Sequence, residues 1–217
     1  MGSKVNLILF GPPGAGKGTQ AQYVVKKYNY FQLSTGDLLR NEIKKKTKLG
    51  NQIEKIISKG NFVSDEVVNE LILQKVSNLK YRDRIIFDGY PRTIDQAKNL
   101  DKILNHFNEK ISLIISLSVS REIIEKRIVG RVTCDKCNLT LNEFFNKKEI
   151  ELHPCGQGYF IKRKDDELNT LMSRFDIYEK TTLPLIDFLS TKPNFHKIDG
   201  ALNINEIAAK IDVFLNV

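Results

Sequence analysis

Apolar residues along this chain follow two periodicities that take turns. Val5 to Phe10 is a short apolar run broken only by Asn6, the pattern of a strand buried on both faces. Glycines then lead into a helix over about Lys17 to Tyr28. Ser34, Thr35 and Asp37 form a helix start, with the helix running to Lys45. Another spans Leu49 to Ser58 and stops at Gly60. Ser64-Asp65-Glu66 opens a further helix whose apolar stripe is Val67, Val68, Leu71, Ile72 and Val76. Arg84 to Asp88 is a short strand turned by Gly89-Tyr90-Pro91. A helix over Ile94 to Phe107, a strand over Ile111 to Val119 and a helix over Arg121 to Val129 follow. From Val132 to Lys162 cysteines, glycines and short strand-like pieces replace long helices. Asp165 to Leu189 is then a long helix, kinked or ended by Pro184, before a last strand at Phe195 to Ile198 and a last helix at Ile204 to Leu215.

Repeated strand–helix units predict an α/β fold: a doubly wound parallel sheet of about five strands, covered by helices on both faces. Two stretches break the alternation and are expected to be inserted subdomains, residues 34–63 and 128–167. Residues 1–33, 64–127 and 168–217 would form the core.

Composition narrows the class without naming a function. A chain of 217 residues with 41% hydrophobic content supports one buried core and excludes disorder. No apolar run approaches the roughly 20 residues of a membrane span, and the N-terminal stretch lacks the form of a secretory signal. Three cysteines within 22 residues make no closed disulfide set, so a reducing, cytoplasmic setting is expected. The net charge of +8 comes from 25 lysines and only 9 arginines. That balance describes a solvated lysine surface rather than a nucleic-acid or membrane interface.

The chemistry begins at Gly11-Pro12-Pro13-Gly14-Ala15-Gly16-Lys17-Gly18-Thr19, between a buried strand and a helix. This is the setting of a phosphate-binding loop, or P-loop: glycines turn backbone N–H groups inward, the helix N-terminus adds positive charge, and Lys17 reaches the phosphates. The general pattern places Ser or Thr directly after the lysine. Here Gly18 stands there and Thr19 follows, so Mg²⁺ is expected to be held mainly by phosphates and water, with Asp88 as an outer-shell anchor.

Further motifs narrow the reading: Leu33-Ser34-Thr35-Gly36-Asp37-Leu38-Leu39-Arg40, Phe87-Asp88-Gly89-Tyr90-Pro91-Arg92-Thr93 with Gln96, Arg127-Ile128-Val129-Gly130-Arg131, and Arg163-Lys164-Asp165-Asp166 with Arg174. In this order and at these spacings the chain resembles the adenylate kinase family in its long-lid form, over nearly its whole length. The resemblance implies reversible Mg²⁺-dependent transfer of phosphate from ATP to AMP, giving ADP, by a monomer. The insert at 34–63 would bind AMP, and that at 128–167 would be the lid. Both would close to exclude water.

Residue roles carried by the resemblance are these. Gly14, Ala15, Gly16, Lys17, Gly18 and Thr19 would hold ATP phosphates; Arg127 and Arg131 would meet ATP from the lid hinge; Thr140, Leu141 and Leu202 would lie near its base or ribose. Thr35, Arg40, Asn61, Phe62, Val63, Gly89, Tyr90, Pro91, Arg92 and Gln96 would form the AMP site, with Arg163 and Arg174 closing on the phosphates. The catalytic set would be Lys17, Arg92, Arg127, Arg131, Arg163 and Arg174. Phosphoryl transfer needs aligned substrates and neutralised charge rather than a nucleophile and base. Arginine's planar fork grips phosphate bidentately, and six of the nine arginines fall at family positions, although lysine dominates elsewhere. Asp37 is expected to cap a helix or make a hinge contact, and Asp165 and Asp166 to cap the long helix and orient neighbouring arginines. The alternatives are a monophosphate kinase with another acceptor base, which Thr35 and Gln96 argue against, and a nucleotide-dependent nucleic-acid binder.

Cys134-x₂-Cys137, with His153 and Cys155, offers four ligands suited to a structural tetrahedral Zn²⁺. Long-lid relatives build such a site from two Cys-x₂-Cys pairs. Counted back from Arg163, His153 takes the third position but Gly156 the fourth, so Cys155 needs a short indel or a local kink to reach the metal.

Overall fold

The computed structural model describes residues 5–78, 83–162 and 168–215. Its centre is a parallel five-stranded sheet in the order β2-β3-β1-β4-β8: β1 is Asn6–Phe10, β2 Phe31–Ser34, β3 Ile85–Asp88, β4 Ile111–Ser118 and β8 Phe195–Asp199. The chain first builds outward on one side of β1 and then on the other. The switch leaves a crevice at the carboxyl end of β1, where ligands bind in such sheets.

Alternate residues of β1 feed two apolar layers. Ile8 and Phe10 join Leu33, Ile85, Phe87 and Ile114 on one face; Leu7 and Leu9 join Ile86, Leu113, Ile115 and Leu117 on the other. Helices cover both faces, as the apolar runs require. They are α1 (Lys17–Tyr28), α4 (Asp65–Val76), α5 (Ile94–His106), α6 (Arg121–Val129), α8 (Leu168–Ile177), α9 (Leu183–Leu189) and α10 (Ile204–Leu215).

Two further groups depart from this alternation. Helices α2 (Thr35–Lys44) and α3 (Lys48–Ile57) pack on each other, and their Leu39 and Ile53 enter the main core. A separate antiparallel sheet consists of β5 (Arg131–Cys134), β6 (Thr140–Asn142) and β7 (Phe160–Ile161), with the short helix α7 (Lys147–Glu151) beside it.

Several local expectations need correction. Strand β2 was not visible in the apolar pattern: it is a four-residue edge strand, Phe-Gln-Leu-Ser, with only Leu33 fully buried. The cap of α2 is Ser34, whose Oγ accepts from the Asp37 N–H at 3.3 Å, while the Asp37 carboxylate pairs with Arg40. The helix expected to end at Leu189 is interrupted by a wider π turn over Tyr178–Thr182, just before Pro184. Proline has no N–H to continue the ladder, and within the π turn the Thr181 hydroxyl donates back to the Ile177 carbonyl at 2.8 Å. The start of that helix, with Asp165 and Asp166, lies outside the described residues.

Candidate active site

The crevice opens into a cleft of about 1560 Å³. Single small-molecule sites occupy roughly 300–1,000 Å³, so this space suits two ligands side by side. Its lining includes the residues expected to hold ATP, Gly14 to Thr19, Arg127, Arg131, Thr140, Leu141 and Leu202, and, of those expected to hold AMP, Thr35, Arg40, Asn61, Phe62, Val63, Gly89, Pro91 and Arg174. Lys17, Asp88 and Arg92 line the cleft as well. Arg163 falls outside the described residues.

Lys17 opens α1 behind a loop whose Gly14 and Gly16 adopt positive φ. Its Nζ donates to the carbonyls of Gly11 at 2.7 Å and Pro12 at 2.9 Å, so without phosphate the loop satisfies its own lysine. Burial pushes the amine down to about 8; Asp88 pulls it up, and Arg92 and Arg131 add to the lowering. Asp88 ends β3. Burial raises its pKa, while Lys17 and a 2.8 Å hydrogen bond from Gln32 Nε2 act the other way.

The Gly89 carbonyl is a hub. It accepts from Thr35 Oγ1 at 2.9 Å and from Arg92 Nε at 2.8 Å, and Phe62 lies under the guanidinium, 4.2 Å from ring centre to Cζ. Gly89 has φ +75°, and a Cβ there would stand 2.8 Å from Thr35 Oγ1. Only glycine fits. Burial, then the nearby Arg174 charge, push Arg92 down to about 10, with Asp88 opposing. Cations crowded at a desolvated wall form a receptor for anionic oxygen.

Tyr90 and Gln96 do not line the cleft. Tyr90 is buried, and its hydroxyl donates to Asn69 Oδ1 at 2.6 Å. Gln96 is also buried; its Oε1 accepts from the Arg92 N–H at 2.7 Å and its Nε2 donates to Asp65 Oδ1 at 2.6 Å. Asp65 also accepts from Thr93 Oγ1 at 2.9 Å. The sequence reading gave Asp65 only a helix-start role, and nothing local signals this second one. Phe145 was missed too: 65% exposed, it projects from the small sheet's side into the cleft.

The ligand atoms of Cys134, which itself lines the cleft, and of Cys137, His153 and Cys155 all lie within 4.8 Å of one another. A tight turn lies at this point: the Gly156 N–H donates to the His153 carbonyl at 2.7 Å, and Gly156 takes φ +87°. With Zn–S near 2.3 Å, a tetrahedral site has edges of roughly 3.8 Å, so the donor set fits with small adjustment. Burial raises the Cys134 thiol, but hydrogen bonds from the Cys137 and Lys136 backbone more than offset this and lower it. Burial and hydrogen bonding to Cys134 and Cys137 push Cys155 up.

A phosphate loop at the switch point, facing arginines from a helix, a loop and a second sheet, defines a P-loop phosphotransferase with two ligand halves. Residues 9–194 match the adenylate kinase family. An adenylate kinase of Pelagibacter ubique (strain HTCC1062) is 62% identical over 213 residues, 98% of this chain and 100% of that protein. Those of Mycoplasma mycoides subsp. mycoides SC and Listeria innocua serovar 6a are 40% and 34% identical, over 89% and 97% of this chain and 91% and 99% of theirs. The chain belongs to the adenylate kinase family.

Proposed function

We propose that this chain catalyses ATP + AMP ⇌ 2 ADP, with ATP in the half walled by the phosphate loop and AMP in the half walled by α2 and Gly89. The observation that carries this reading is that the phosphate loop with Lys17 and the wall with Arg92 line one cleft, near enough for the Arg92 charge to act on Lys17. Lys17 leaves the Gly11 and Pro12 carbonyls for the donor phosphates. Arg92, seated on Gly89 and Phe62, grips the acceptor phosphate, and Arg127, Arg131 and Arg174 close the charge around the transferring group. Transfer is in line and needs no covalent intermediate. Mg²⁺ supplies charge neutralisation on the ATP phosphates, with Asp88 as its outer-shell anchor.

Residues 34–63 serve as the AMP-binding insert and 128–167 as the lid, both closing on the 1–33, 64–127 and 168–217 core. Gln96, buried behind the cleft wall, supports the AMP site through its bond from the Arg92 N–H. Cys134, Cys137, His153 and Cys155 hold a structural Zn²⁺ that staples the lid, a segment too small for its own core. The three free thiols suit a reducing cytoplasm, and the family form is a monomer. Among the described residues no helix is long and apolar enough to cross a membrane.

A coupled assay of ADP formation with AMP, UMP, CMP and GMP as acceptors, on protein of measured zinc content, tests the whole reading. Preference for AMP with one zinc per chain supports it. Turnover with another monophosphate instead moves the acceptor assignment, and activity without zinc removes the metal.

A further inference from the structure

Gln32 lies in β2, on the outer edge of the sheet, where a polar side chain ordinarily faces water. Here it does not. Parallel pairing sets Ser34 beside Asp88 and Gln32 beside Ile86, so Gln32 and Asp88 share one face of the sheet. Its amide runs along that face to the carboxylate: Nε2 donates to Asp88 Oδ2 at 2.8 Å. Among the described residues this is the only hydrogen bond given to the Asp88 side chain, and both residues line the cleft. Asp88 is buried beside Lys17, and the hydrogen bond to one of its oxygens restrains rotation of the carboxylate.

We propose that Gln32 is a positioning residue of the phosphotransfer site, acting through Asp88 to make the site prefer metal-bound over metal-free ATP. The inference rests on the proposed ATP site. An oriented carboxylate at the phosphate loop repels the naked triphosphate and favours the metal complex. A carboxylate free to rotate, or to take up a proton, discriminates less. Gln32 is only half-buried, so Q32M and Q32A both leave the core intact.

The test is calorimetric binding of ATP, with and without Mg²⁺, to the full chain, Q32M, Q32A, D88N and the Q32M/D88N double variant. A hydrogen bond to a charged group is worth roughly a tenfold effect or more, so Q32M and Q32A should each cut the MgATP-to-ATP affinity ratio by about tenfold. AMP binding should be unchanged. In the D88N background, Q32M should change the ratio less than about twofold, since the group it acts through is gone. An unchanged ratio in Q32M and Q32A, or an equal loss with and without the Asp88 carboxylate, overturns the proposal. Absence of ATP binding or of ADP formation in the unaltered chain is a different failure, that of the proposed function itself.

Discussion

Gly89→Ala separates scaffold from substrate binding at the hub between Thr35 and Arg92. The added methyl must adopt φ +75° and would meet Thr35 Oγ1 at 2.8 Å and Arg92 Nη2 at 3.2 Å. The left-handed backbone alone costs about 1–2 kcal/mol for an alanine. In a chain of this size, that lowers the melting temperature by about 2–8 °C. The steric part falls on the two side chains that hydrogen-bond the Gly89 carbonyl. Arg92 must leave its seat over Phe62, and the guanidinium no longer arrives with its fork directed into the cleft. Loss of one charge-assisted hydrogen bond to phosphate, about 1.5–3 kcal/mol, weakens AMP binding by roughly ten- to hundredfold. ATP, held by the phosphate loop and the Arg127 and Arg131 wall, should change less than about threefold. Calorimetric titration with each nucleotide, beside a melting curve, reads both effects. A lowered melting temperature with AMP affinity intact would refute the reasoning, because the hub would then serve only the fold.

Other expectations concern the same groups. Lys17→Ala should lower turnover on the order of ~10³-fold, and near-normal steady-state rates would remove Lys17 from the mechanism. Because the free protein holds Lys17 near 8, ATP affinity should be flat below that pH and fall as pH rises through it. A Lys17→Met variant should lack this dependence. Since the lysine's native pKa lies below 10.5, the native state binds fewer protons than the unfolded one between about 8 and 10.5. Its contribution to stability therefore rises with pH across that window, readable in denaturant midpoints. Arg92→Lys keeps the charge and loses the fork, so AMP should weaken more than ATP; equal losses would contradict the assignment. Cys155→Ser should release zinc, or bind it at least about tenfold more weakly by chelator competition, and broaden the melting of the lid. Full zinc retention would exclude Cys155 as a ligand.

Most of the core was legible because its strands are apolar on both faces. Asn6–Phe10 and Ile111–Ser118 have no other place to go than the middle of a covered sheet. Strand β2 escaped for the opposite reason: an edge strand with Gln32 and Ser34 in four residues carries too little apolar signal, and its pairing with β3 is a tertiary fact. The cleft was legible through its arginines and glycines, which bear chemistry at fixed spacing. What those residues lean on was not. Asp65 beneath Gln96 and Gln32 behind Asp88 are contacts across 31 and 56 residues of chain, and no local pattern announces them. Cys155 stands between the two cases. Its type suggested a ligand and its spacing argued against, yet the fold brings its Sγ within 4.8 Å of the other three donor atoms.

The small antiparallel sheet carries very little greasy interior. Among the described residues its strands bury Val132 and Cys134, with Thr133 and Asn142 as the other enclosed side chains, and none joins the three apolar clusters of the molecule. Helices α2 and α3, in contrast, hand Leu39 and Ile53 directly to the central core. The two inserted segments are thus fastened by different physics. Substitutions in α2 or α3 register in the cooperative melting of the whole molecule. Substitutions around the Cys/His cluster register in a local opening that leaves the sheet intact. The stability of the small sheet and that of the central sheet can therefore be changed independently of each other.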